Sequence, residues 1–123
     1  MYKILIVDDD LDLLFMTKIL LERNNFLVTA LSKWEEIDSS IDVFHPDLIL
    51  LDTYLDGADG RNICRQLKAK DKTKDILILL YSAAHRIKES LIDTNADGFI
   101  EKPFNFVTLV TTINSILSHN TKP

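Results

Sequence analysis

The chain has 123 residues, 46% hydrophobic and 27% charged, with 19 acidic against 14 basic side chains and a formal net charge of −5. That is the composition of one globular domain with its own core; it disfavours a direct nucleic-acid partner, which needs a basic face, and the single cysteine, Cys64, excludes an intrachain disulfide or a thiolate metal cluster. No apolar run approaches a membrane-spanning length and no secretory apolar segment follows Met1, so no membrane contact and a cytoplasmic location are expected.

Residues 3–7 read as a first strand that ends on Asp8-Asp9. A helix is expected from Leu11 to about Asn24, capped by Asp10, with Leu11, Phe15 and Ile19 on one apolar stripe and Leu14 and Leu21 beside it. Residues 26–30 form a short second strand. Ser32-Lys33-Trp34-Glu35 has the S-x-x-E form of a capping box, which places a helix start at Lys33, with Ile37 and Ile41 on its apolar face and Pro46 ending the region. Residues 48–51 form a third strand that ends on Asp52. Asp59-Gly60 leads into a helix carrying Ile63, Cys64 and Leu67, with lysines at its end.

Residues 76–81 form a fourth strand that ends on Ser82, followed by a helix with Ile87, Leu91 and Ile92. A fifth strand, about 98–101, runs into Lys102-Pro103. Asn105 caps a last helix with Phe106, Val110, Ile113 and Leu117 at helical spacing; Val107 and Leu109 lie outside that stripe and are candidates for a partner surface. Five βα units with right-handed crossovers predict a flavodoxin-like, doubly wound (βα)5 sandwich around a parallel sheet of order 2-1-3-4-5. Residues 1–119 make that domain, and 120–123 a polar tail or the start of a linker.

Short apolar runs bounded by polar residues are consistent with strands buried on both faces. Ligands of such sheets bind beyond the carboxyl ends of the strands, so Asp8, Asp9, Asp52, Ser82 and Lys102 are all sent to one rim. Two carboxylates roughly 5 Å apart repel by about 3 kcal/mol at an effective dielectric of about 20, so such a cluster calls for a cation. A hard divalent ion such as Mg²⁺, which takes oxygen ligands, suits it.

The segments I-L-I-V-D-D-D, D-L-I-L-L-D-T-Y-L-D-G-A-D-G, L-L-Y-S-A-A and D-G-F-I-E-K-P-F, in this order across nearly the whole chain, resemble the receiver domain of two-component response regulators. The resemblance implies that Asp52 accepts a phosphoryl group from a phosphohistidine of a sensor histidine kinase or histidine phosphotransfer protein. It also implies that Asp8, Asp9, Asp52 and the Tyr54 backbone carbonyl hold Mg²⁺ and that Lys102, before a cis Pro103, offsets the charge. Ser82 and Phe99 become the switch pair that reshapes the face made by the fourth helix, fifth strand and fifth helix for an output partner or effector domain. Many relatives dimerise through that face, which leaves a homodimer open. Such a domain is a signalling switch that catalyses only its own phosphorylation and dephosphorylation.

The sequence departs from the family pattern at Asp56, where proline is common, and has Tyr54 and Ala84 at positions that tune dephosphorylation; a bulky Tyr54 would shield the acyl phosphate from water and slow its hydrolysis. Neighbouring cations are expected to favour the ionised form of Asp52. A flavin-binding protein is disfavoured by aspartates where a phosphate loop would lie, and a haloacid-dehalogenase-like phosphatase by the lack of its later acidic motif. A calcium loop beginning at Asp52 fails at its twelfth position, Ile63. The three histidines lack ligand spacing and read as surface or capping groups, and Trp34 reads as packing beside its helix. The alternative within the family is a degenerate receiver that works as a phosphorylation-independent scaffold.

Overall fold

The computed structural model describes residues 1–83, 93–102 and 105–119. The expected helix around Ile87, Leu91 and Ile92, together with Ala84, His85, Pro103 and the tail 120–123, lies outside the described residues. In chain order the elements are β1 (Lys3–Val7), α1 (Leu11–Arg23), β2 (Leu27–Leu31), a 3-10 turn (Trp34–Glu36), α2 (Ile37–Phe44) and β3 (Leu48–Asp52). The short strands β4 (Tyr54–Leu55) and β5 (Ala58–Asp59) follow, then α3 (Gly60–Ala69), β6 (Leu77–Ala83), β7 (Gly98–Lys102) and α4 (Phe106–His119).

The main sheet has the order β2-β1-β3-β6-β7, with every pair parallel. This is the expected order 2-1-3-4-5. The antiparallel β4–β5 hairpin was not expected; it folds back at Gly57, whose φ of +85° is strained for a residue with a Cβ.

Strand alternation splits the core in two. Ile4, Ile6, Leu48, Leu50, Leu77, Leu79 and Tyr81 pack with Leu14 and Leu21 of α1 and Leu109, Ile113 and Leu117 of α4. Leu5, Val7, Ile49, Leu51, Ile78 and Leu80 pack with Ile37 and Ile41 of α2 and Cys64 and Leu67 of α3. Each fully buried Leu or Ile contributes about 1.5–3 kcal/mol, so β1, β3 and β6, apolar on both faces, anchor the fold. Asp10, Asp59 and Asn105 cap α1, α3 and α4 through side-chain oxygens that accept backbone N–H groups. His45 ends α2 in the left-handed region at φ 53°.

Several expectations change. Leu11, Phe15 and Ile19 face solvent, and α1 buries Leu14, Thr17 and Leu21 instead. Leu109 is fully buried and offers no partner surface, whereas Val107 is exposed. The S-x-x-E sequence forms no capping box. The residue before the turn is Lys33, without a side-chain cap bond, and the chain tightens through a Glu36 N–H to Lys33 carbonyl bond before α2 begins at Ile37. The fourth strand runs two residues further than expected, so Ser82 lies within β6.

Candidate functional site

The carboxyl ends of β1, β3, β6 and β7 meet because of their register. Val7 pairs with Leu51, which sets Asp8 beside Asp52; Asp52 pairs with Tyr81, and Tyr81 with Ile100, two residues before Lys102. Alternation along each strand then puts Asp8, Asp52, Tyr81 and Lys102 on the same side as Ile6, Leu50, Leu79 and Ile100.

One ligand atom each from Asp8, Asp9 and Asp52 lies within 4.8 Å of the others. Asp8 is 0% exposed and Asp52 4%. The Lys102 ammonium donates to Asp52 Oδ2 at 3.0 Å and to Asp8 Oδ2 at 3.4 Å. Asp52 Oδ1 accepts the Tyr54 backbone N–H at 3.1 Å, and Asp8 Oδ1 accepts that of Asp10 at 3.0 Å. An all-oxygen donor set fits a hard cation such as Mg²⁺ better than a thiophilic metal. Two buried carboxylates sharing one ammonium leave negative charge that such an ion would balance.

Lys102 favours the ionised form of Asp52, as expected, but burial opposes it. Burial pushes its carboxyl up to about 6, and the Asp8 charge adds to that; the Tyr54 N–H and Lys102 pull downward without winning. At neutral pH the group is still mostly ionised, but less comfortably than its cation partner suggests.

The loop after β3 is pinned from two sides. The Asp56 N–H donates to Asp9 Oδ2 at 2.7 Å, and the Trp34 Nε1–H donates to the Asp56 carbonyl at 3.1 Å. The departure at 56 thus has a physical consequence: proline, common there in the resembled family, has no N–H to give Asp9. Trp34, expected only to pack beside its helix, also reaches this loop. The loop closes onto α3 at Gly60, where a Cβ would stand 2.0 Å from the Asp52 carbonyl oxygen. The Gly60 N–H bonds the Thr53 carbonyl at 2.9 Å, so the helix start is drawn tightly under Asp52.

The other candidate residues sit as follows. Ser82 is buried one residue past Tyr81, in register with Glu101. Phe99 is half-exposed and pairs with Leu80, three residues short of Lys102. The Tyr54 side chain is half-exposed while its N–H faces Asp52. Cys64 is a core residue: its thiol, pushed up to about 11 by burial, donates to the Thr94 carbonyl. Sequence reasoning missed Tyr81, whose hydroxyl donates to Asp8 Oδ2 at 2.7 Å. A tyrosine at the end of a buried strand was the available signal, since a buried phenol needs a partner.

A twisted parallel sheet with an acidic trio and a lysine at its carboxyl edge defines a receiver-type α/β domain. Comparison with known proteins agrees: the response regulator receiver domain family model matches residues 4–114. The chain belongs to that family, whose members serve phosphorylation-based two-component signalling. The phosphate regulon transcriptional regulatory protein PhoB of Escherichia coli is 30% identical over 117 residues, covering 94% of this chain and 51% of PhoB. The transcriptional regulatory protein CseB of Streptomyces coelicolor is 34% identical over 115 residues, covering 93% of this chain and 48% of CseB. The chain spans about half the length of these curated relatives.

Among solved structures, a putative response regulator from Chloroflexus aurantiacus superposes with a TM-score of 0.88 at 29% identity, covering 95% of this chain and 98% of that one. The signal receiver domain of a signal transduction histidine kinase from Syntrophus aciditrophicus gives 0.89 at 25% identity, covering 100% of this chain and 95% of that one. No helix among the described residues is long and apolar enough to cross a membrane.

Proposed function

We propose that Asp52 is the phosphoacceptor of a cytoplasmic two-component switch, charged by the phosphohistidine of a sensor histidine kinase or histidine phosphotransfer protein. A carboxylate oxygen of Asp52 attacks phosphorus, the P–N bond to the imidazole breaks, its electron pair returns to the ring nitrogen, and an acyl phosphate forms. Asp8, Asp9, Asp52 and the Tyr54 carbonyl would hold Mg²⁺, which when bound supplies charge neutralisation on the transferring phosphoryl group. Lys102 adds a fixed positive charge on the same side. The observation that carries this reading is the Lys102 ammonium 3.0 Å from Asp52, in reach of an acidic trio whose charge it does not fully balance among the described residues.

An encounter surface lies close by. Leu11, Phe15, Met16 and Ile19 expose an apolar strip on α1, which starts directly after the acidic loop, and such strips mark protein contacts. Once phosphorylated, Asp52 would gain oxygens that attract the Ser82 hydroxyl, and Phe99 would change its exposure in response. The face around β7 and α4, where Val107 is exposed, would then carry the signal to an output partner or effector domain. The catalysis is confined to the domain's own phosphorylation and dephosphorylation.

The test is intact mass after incubation with a small-molecule phosphodonor and Mg²⁺. Wild type is expected to gain one phosphoryl group and Asp52→Asn none; no gain with any donor, or an equal gain in the variant, would remove Asp52 from this role.

A further inference from the structure

We propose that Tyr81 is a positioning residue of this site: its hydroxyl fixes Asp8, and its ring seats the Lys102 ammonium beside Asp52. This rests on the phosphoacceptor reading above for its purpose, though not for its geometry. Tyr81 is 2% exposed, so its hydroxyl has no recourse to bulk water, and it donates to Asp8 Oδ2 at 2.7 Å. The Lys102 ammonium stands 4.6 Å from the centre of the Tyr81 ring, within cation–π distance.

These contacts decide how one lysine is divided between two buried carboxylates. Asp8 Oδ1 accepts the Asp10 N–H, and its Oδ2 accepts the Tyr81 hydroxyl more closely than it accepts the Lys102 ammonium. Lys102 therefore sits closer to Asp52 Oδ2, at 3.0 Å, than to Asp8 Oδ2, at 3.4 Å. Without the hydroxyl, Asp8 would be a buried carboxylate short of a donor, and the nearest replacement is the same ammonium. Lys102 would swing toward Asp8 and leave Asp52. Without the ring it would also lose the surface that sets its height over the sheet edge. Hydrogen-bond partners that orient a metal-binding carboxylate typically matter by 10–100-fold in affinity. The same arrangement that aims Lys102 would thus hold Asp8 in its ion-binding pose.

The test compares wild type with Tyr81→Phe, which removes the hydroxyl alone, and Tyr81→Leu, which removes the ring as well. Mg²⁺ binding is followed by calorimetry, thermal stability in chelator, and phosphoryl uptake from a small-molecule donor by intact mass. Tyr81→Phe is expected to weaken Mg²⁺ binding by about tenfold, with a slower uptake that added Mg²⁺ restores in part. Tyr81→Leu should show the same weakening and an uptake that added Mg²⁺ does not restore. Unchanged Mg²⁺ affinity in Tyr81→Phe, with only the melting temperature altered, would make Tyr81 a plain core aromatic and overturn the proposal. Should Tyr81→Leu fail to fold, the Phe variant alone decides. Should wild type take up no phosphoryl group, the phosphoacceptor reading fails, while the Mg²⁺ comparison still judges the Tyr81–Asp8 link.

Discussion

At the amino ends of the strands, Asp97 meets the Lys68 ammonium at 2.7 Å and the Ile78 N–H at 2.8 Å, and Asp47 accepts the Lys3 backbone N–H at 2.8 Å. At the carboxyl ends, Asp8 and Asp52 share Lys102, and Asp9 leans on a loop N–H. Among the described residues, the first rim satisfies its acids with paired partners, and the second gathers more acids than cations. Such a cluster costs folding stability unless a cation or a proton relieves it. The proposed function belongs to the rim where charge is left unbalanced, while the other rim serves stability.

The comparison can be broken at its hinge. Gly60→Ala puts a Cβ where the Asp52 carbonyl already stands, and nothing flexible lies there to move aside. A loss of roughly 3 kcal/mol in denaturant unfolding is expected, with Asp52 displaced.

It can be sharpened by removing one charge from each rim. The folded pKa of Asp52, about 6, lies above the ordinary 3.8, so the folded state holds this proton more tightly. That group therefore favours folding at pH below about 4, and its contribution is lost as pH rises through about 6. Asp52→Asn is expected to raise the stability of the metal-free protein by roughly 2–3 kcal/mol near pH 7.5, and the gain should vanish below about pH 4. At the other rim, Lys68→Met strands Asp97 and should cost about 1 kcal/mol at neutral pH. Opposite signs in thermal unfolding would uphold the contrast; equal signs would erase it.

Two smaller effects concern the acidic loop. Asp56→Pro deletes the N–H that Asp9 accepts and should cost about 1 kcal/mol in chelator, read by thermal unfolding. Tyr54→Ala is expected to shorten the acyl-phosphate lifetime, followed as loss of the added mass with time; an unchanged lifetime would show that the half-exposed ring shields nothing.

Much of this architecture was legible in the sequence because strands buried on both faces read as unbroken apolar runs. Ile4–Val7 and Leu48–Leu51 end abruptly on acids, and the parallel register then has little choice but to bring Asp8 and Asp52 together. Tyr81 escaped for the same reason: it closes an apolar run and reads as one more core side chain, while its partner Asp8 lies 73 residues away. The α1 strip escaped because two apolar stripes fit one helical period. The stripe with a threonine, Leu14-Thr17-Leu21, turned inward, where packing against the sheet outweighs composition. The S-x-x-E sequence misled because Trp34 is held to the Asp56 carbonyl across the loop, and a local motif cannot foresee a partner 22 residues on.

The central claim is that the unbalanced rim exists to hold a divalent cation beside Asp52. Calorimetric titration of Mg²⁺ into wild type and Asp9→Asn tests it most directly. One ion bound per chain, with affinity reduced at least about tenfold in the variant, is the expected result; no binding, or equal binding in both proteins, would contradict it.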